Sequence, residues 1–213
     1  MVLKRPGRWS AVCIATAIAV SSACSRTHTA GFWFEHDAVS LPNYIAAQVG
    51  GPLTEAEIAS IERLSRAEVE RAFDGLTVSV VDSDRAFWRV AVLRSLPERD
   101  NKALPHAGES LAMGFLGGRG LVGFDFVAFQ AAHYAPPGAR RADIIAGIGR
   151  GVGRVAVHEL MHQMLGVSNA HDDTDVNSYE YGRPDRSSQY YGDLHWTTAL
   201  PLLRRKLGAR SDE

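Results

Sequence analysis

The chain has 213 residues, 46% hydrophobic and 22% charged, the proportions of an ordinary globular domain rather than of a long disordered chain. Lys and Arg total 23 against 24 Asp and Glu, a net charge of −1, so the basic surplus of a nucleic-acid binder is missing. Its 20 Gly and 9 Pro follow no collagen-like period.

Residues 1–23 read as a secretory signal peptide. Lys4, Arg5 and Arg8 precede an apolar run from Ala11 to Val20, and Ser21-Ser22-Ala23 supply small residues for cleavage. The run is shorter than the roughly 20 residues that span a bilayer. Removing the segment takes the net charge from −1 to −4. Cys13 goes with it and Cys24 becomes the only cysteine, so an internal disulfide is excluded. Ser21-Ser22-Ala23-Cys24 resembles a bacterial lipobox, with Ser21 where Leu is usual. That resemblance implies export to the bacterial cell envelope and a membrane anchor through a lipid on Cys24. Plain export to the periplasm or medium, and an uncleaved anchor, are the other outcomes.

Residues 24–40 read as an N-terminal tether and 41–213 as the domain, with little periodicity before residue 54. The aromatic cluster Phe32-Trp33-Phe34 docks on the domain or meets a membrane surface, docking being the commoner case. Residues 54–74 are a predicted helix: Thr54 and Glu57 form a capping box, Ile58, Ile61, Leu64, Val69 and Phe73 recur at helical spacing, and Gly75 ends it. Two strand-like runs follow, Leu76–Val81 and Phe87–Leu93. The turn composition of Asp82-Ser83-Asp84-Arg85 between them predicts a hairpin. Residues 96–110 read as a polar loop, and Val122–Val127 as a strand. Pro136-Pro137-Gly138 breaks the chain before a long helix, Arg141 to Leu165. Gly147, Gly149, Gly151 and Gly153 oppose that helix at about 1 kcal/mol each. Either they admit a closely packed neighbour or the helix starts only near Arg154. Gly166 stops it in both cases. Residues 167–194 form a polar loop, and Trp196–Leu207 a closing helix.

The chemistry concentrates in His158-Glu159-Leu160-Met161-His162. Side chains at i and i+4 share one helix face, so both imidazoles reach a single tetrahedral metal. Glu159 lies about 100° around the helix, where it reaches a metal-bound water without being a ligand. A metal lowers the pKa of such a water toward neutrality, and Glu159 takes its proton as general base and passes it to a leaving amine.

This H-E-x-x-H helix resembles the active helix of the zincin metallopeptidases, and the order helix 54–74, strands, strand near 122–127, active helix resembles their N-terminal subdomain. The resemblance implies an α+β fold: a small twisted mixed sheet with a backing helix and a long active-site helix on one face, and the closing helix over the lower half. It implies Zn2+ as cofactor, a peptide or protein substrate, and extended substrate lying on a sheet edge made by the last strand before the active helix. Metzincins continue the motif to a third His with a Gly between. Here Leu165 occupies that Gly position, and His171 lies nine residues past His162 instead of six. No Met follows Met164, so a Met-turn is absent.

A zinc hydrolase needs a third protein ligand. His171 is the first choice. Gly166 stops the helix, five residues suffice to return the chain, and imidazole is a commoner zinc ligand than a lone carboxylate. Glu180, Asp175 and His195 are the other candidates. Tyr181, Tyr190 and Tyr191 are candidates for stabilising an oxyanion, set against the plainer reading of a loop packed by its own aromatics. Gly118, Gly120 and Gly123 match G-x-G-x-x-G but precede a strand, which fails the dinucleotide context, and Ser110 is in no nucleophile elbow. The expectation is therefore a monomeric zinc metallopeptidase of the bacterial envelope, with His158, His162 and His171 on zinc and Glu159 as base. The alternatives are a catalytically silent zincin-like lipoprotein that binds metal or a partner, and an envelope structural protein without metal.

Overall fold

The computed structural model describes residues 27–97, 107–112, 117–167 and 170–210; the predicted leader and Cys24 lie outside them. The elements in chain order are β1 (His28–Phe34), α1 (Asn43–Val49), α2 (Glu55–Ala72), β2 (Val78–Val81), β3 (Trp88–Leu93), β4 (Gly108–Ala112), β5 (Gly118–Gly123), α3 (Phe124–His133), α4 (Arg141–Leu165), α5 (Ser188–Tyr191) and α6 (Ala199–Leu207). The architecture is thus mixed α and β, with a five-stranded mixed sheet. No helix among the described residues is long and apolar enough to cross a membrane.

The strand order is β2-β1-β3-β5-β4, with β4 alone antiparallel. Two expectations are corrected here. Residues 28–34, placed by the sequence reading in the tether, form an interior strand, so the sheet begins upstream of residue 41. The predicted hairpin does not form, because β1 lies between β2 and β3 and pairs in parallel with both. Residues 82–87 do turn the chain, but they carry it across β1. Gly31 lies beneath this crossing, where an added Cβ would collide with the Ser83 carbonyl.

A third correction concerns Val122–Val127. The strand β5 ends at Gly123 and the chain turns at once into α3. An apolar run does not distinguish strand from helix by itself. The helix wins because Phe124, Val127, Ala128 and Ala131 fall on one buried face. Thus β5, the last strand before α4, is interior, and the sheet edge beside α4 is β4, five residues that begin inside the predicted loop 96–110.

The helix α2 is capped as expected, Thr54 Oγ1 accepting from Glu57 N at 3.3 Å and Glu57 Oε2 from Thr54 N at 2.9 Å. Glu57 also receives Arg141 at the start of α4, at 2.6 and 2.9 Å. The hydrogen bonds from Arg141, then that from Thr54 N, bring its carboxyl down to about 2.

Despite its glycines, α4 is unbroken. They fall into two i, i+4 pairs on different faces. Leu64 and Ile61 of α2 press on Gly149, and Ser65 and Glu68 on Gly153; the Tyr191 and Tyr190 rings lie on Gly147 and Gly151. Any Cβ at these four positions would collide with its neighbour. The propensity cost of each Gly is offset by close helix packing, sealed by the buried Ser65 hydroxyl 2.9 Å from Gly149 O. Gly118 and Gly120 have a similar explanation. They face α4 and make room for the Gln163 amide, which accepts from Arg89 N at 2.9 Å and donates to Arg89 O at 3.1 Å. Their G-x-G pattern is a packing groove.

Candidate metal centre

Near its C-terminal end α4 carries His158 and His162 one turn apart, and the return loop brings His171 to them. The three Nε2 atoms form a nearly equilateral triangle: 3.0 Å between His158 and His162, 3.1 Å between His162 and His171, and 3.2 Å between His158 and His171. Nitrogens bonded at about 2.05 Å to one tetrahedral ion lie about 3.3 Å apart. His162 is buried, His158 half-buried and His171 exposed, so the cluster opens to solvent on the loop side.

The hydrogen bonds decide what these nitrogens are. His158 Nδ1 lies 2.8 Å from Tyr179 O, and His162 Nδ1 lies 2.9 Å from Val167 O. A carbonyl only accepts, so both Nδ1 atoms carry the proton and both Nε2 atoms present lone pairs. Burial, and then His162 beside it, pushes His158 down to about 3; burial likewise lowers His162. Two neutral imidazoles with lone pairs 3.0 Å apart repel unless a cation lies between them. The donor set therefore fits a metal ion, with the other ring nitrogens already oriented by backbone carbonyls.

Local structure explains the convergence. Gly166 adopts φ +73° and ends α4 in a left-handed turn, with Gly166 N and Val167 N both donating to His162 O. That turn returns the Val167 carbonyl to the His162 ring. Gly182 packs against the His171 ring. A Cβ there would lie 3.1 Å from Nδ1 and 3.2 Å from Cγ. Gly182→Ala should therefore shift the His171 ring and weaken metal affinity about tenfold, with unchanged far-UV circular dichroism; a chelator-competition titration equal to the parent's would contradict this.

The other ligand candidates are engaged elsewhere. Glu180 is fully buried. Its carboxylate accepts from Thr197 N at 2.8 Å, Ala199 N at 2.9 Å, Thr198 N at 3.0 Å and Thr198 Oγ1 at 2.5 Å. It closes the start of α6, which for that reason begins at Ala199 and not at Trp196. Asp175 pairs with His195 at 2.8 Å. Glu180→Ala should destabilise the fold by about 2–4 kcal/mol, since it strands buried donors, and leave metal stoichiometry intact. Thermal melts paired with metal analysis test this, and loss of metal from a folded Glu180→Ala protein would count against it.

The tyrosine candidates have packing roles. The Tyr181 hydroxyl donates to Asp185 Oδ1 at 3.2 Å, that of Tyr190 to Pro184 O at 2.9 Å, and that of Tyr191 to Ala131 O at 2.6 Å. Each of the three hydroxyls thus has a protein acceptor, and the Tyr190 and Tyr191 rings pack on α4.

Glu159 is 6% exposed and its carboxylate lies against Gly108 of β4, where a Cβ would come within 2.6 Å of Oε1. Burial, and then the charge of Glu109, raises its carboxyl to about 8. Among the described residues no salt bridge reaches it. A cation at the neighbouring histidines would favour its ionised form again. Its surroundings thus place its proton affinity near the range in which a side chain exchanges protons at neutral pH.

Sequence reasoning singled out the three histidines and Glu159 but not Tyr179, Val167 or Gly182. The first two act through backbone carbonyls, which leave no side-chain signature, and a lone Gly in a polar loop carries no mark of what rests on it.

No protein-family model matches the chain, and a search of the curated proteins finds no relative. The candidate metal centre therefore rests on the geometry of its three histidines and on the H-E-x-x-H spacing.

Proposed function

We propose that the chain is a zinc-dependent metallopeptidase of zincin type, with His158, His162 and His171 as zinc ligands and Glu159 as general base. The observation that carries the reading is the Nε2 triangle, with two of its tautomers fixed by carbonyls and a buried carboxylate, reached by no salt bridge among the described residues, one residue along the helix. Three imidazoles suit several transition metals; zinc is favoured because three protein ligands and an open fourth position are its usual hydrolytic arrangement. When bound, zinc acts as a Lewis acid and lowers the pKa of a water toward neutrality.

The remaining roles belong to the chain. Glu159 accepts a proton on a carboxylate oxygen from the attacking water and returns it to the leaving amine. The edge strand β4 pairs with β5 on one side, and its outward backbone suits the addition of an extended peptide strand. Gly108 and Ser110 tie that strand to α4, Ser110 Oγ donating to Glu159 O at 3.1 Å. A peptide lying along β4 would pass beside the base. Placement in the bacterial envelope, with a lipid on Cys24, rests on the N-terminal sequence.

The test uses the full chain. It should purify with about one zinc per molecule by elemental analysis and cleave members of a mixed peptide library, with activity lost to a chelator and restored by zinc. Zinc without cleavage would leave a metal-binding protein; neither would remove the proposal.

A further inference from the structure

The two helix histidines are oriented by different means. His162 bonds to Val167 O, five residues on, and the helix-ending turn at Gly166 sets that carbonyl. His158 bonds to Tyr179 O, 21 residues on, and nothing local sets that one. What fixes Tyr179 is a buried polar cluster at the α2–α4 contact. The Tyr179 hydroxyl donates to Glu68 Oε1 at 3.0 Å, and the same oxygen receives Arg71 at 2.6 Å and Arg154 at 2.9 Å. Arg154, 3% exposed, also donates to Ser188 O at 2.9 Å and Gly192 O at 2.6 Å. Burial alone would raise the Glu68 carboxyl; the charge and hydrogen bonds of Arg154, with those of Arg71, bring it below the ordinary value. It remains an ionised acceptor, and the hydrogen bond from Tyr179 is charge-assisted.

The Tyr179 ring also packs against Trp196, tilted by 45° with centroids 4.9 Å apart, and the Tyr179 backbone N–H donates to His195 O at 3.0 Å. Side chain and peptide are thus tied at three points, and the carbonyl that remains meets His158.

We propose that Tyr179 and Glu68 are positioning residues of the metal centre: Glu68 fixes the Tyr179 hydroxyl so that the Tyr179 carbonyl sets the tautomer and ring angle of His158. This rests on the metal reading above and extends it to a buried network on another helix. The network binds no metal. Its effect is on how well the His158 lone pair points at the ion, and partners of this kind commonly change affinity about 10–100-fold.

The experiment loads the full chain with Co2+, whose visible absorption reports ligand geometry. Three proteins are compared: parent, Tyr179→Phe, and Ser65→Ala. Ser65→Ala removes another buried hydrogen bond of the α2–α4 contact that does not lead to His158. Tyr179→Phe should bind cobalt at least about tenfold more weakly, with a shifted visible band and native far-UV circular dichroism, and Ser65→Ala should keep the parent's affinity and spectrum. Parent-like binding by Tyr179→Phe, or an equal loss in Ser65→Ala, overturns the positioning role while the metal site stands. A parent chain that takes up no cobalt removes the metal reading and this inference together.

Discussion

His162→Ala is expected to abolish stoichiometric metal binding at micromolar protein. Structural zinc sites contribute about 10–16 kcal/mol through their whole ligand set, so losing one of three imidazoles should cost about 3 kcal/mol or more, a hundredfold or more in affinity. The loss falls on the most buried ligand, and leaves His158 half-buried and His171 exposed. Removing His162 also frees the Val167 carbonyl, so the metal-free variant should melt below the metal-free parent. His171→Ala provides the contrast: metal affinity falls, while metal-free stability barely changes because its ring is exposed. Elemental analysis after gel filtration, with chelator competition, gives the answer. Full zinc occupancy in His162→Ala would sink the three-histidine site.

Glu159→Gln is expected to keep the metal and to lower peptide hydrolysis by about 10²–10⁴-fold, the usual contribution of a general base. The amide has the shape of the carboxyl but cannot take up a proton. Unchanged turnover would exclude Glu159 as the base, and loss of metal would make it a ligand. The same substitution has a consequence for stability without metal. The folded Glu159 carboxyl ionises at about 8 against an ordinary 4.5. Between those values the folded chain keeps a proton that the unfolded chain has lost, so this group's contribution to stability is lost as pH rises through 8. His158 has the opposite sign. It is lowered from 6.5 to about 3, so its contribution is lost as pH falls from 6.5 toward 3. For these two groups the slopes cancel between 4.5 and 6.5. At pH 9 the metal-free Glu159→Gln protein should melt about 5 °C above the metal-free parent, and equal melting temperatures there would refute a buried, raised carboxyl.

The parts legible in the sequence are those whose cause is local. The capping box of Thr54 and Glu57, the stop at Gly166 and the H-E-x-x-H spacing all act within one or two turns, and each appears where the residues place it. Parallel pairing has no such local mark. The strand β1 is seven residues long, and its burial comes from β2 and β3, some 50 residues later; the turn residues at 82–85 suggest a hairpin because a short crossing over a third strand has the same composition. The choice between His171 and Glu180 was open for a similar reason. Donor preference favours imidazole, but the fate of Glu180 depends on backbone amides at 197–199, which any sequence could supply. The α4 glycines were legible as an obstacle. Their resolution required knowing that Gly149 and Gly153 face α2 while Gly147 and Gly151 face the tyrosines.

The Gln163 amide also determines what the three histidines are measured against. It follows His162 directly and grips both the N–H and the C=O of Arg89 on β3, with Gly118 and Gly120 cut away to admit it. The height of the histidines along the helix is therefore indexed to an interior strand, two places in from the rim at β4. The rim strand meets α4 at Gly108, against Val155 and Glu159, and at Ser110, whose hydroxyl donates to Glu159 O. The interior of the sheet thus supplies the datum for the histidines, while the rim meets the same helix at Val155 and Glu159, a turn or two nearer its start.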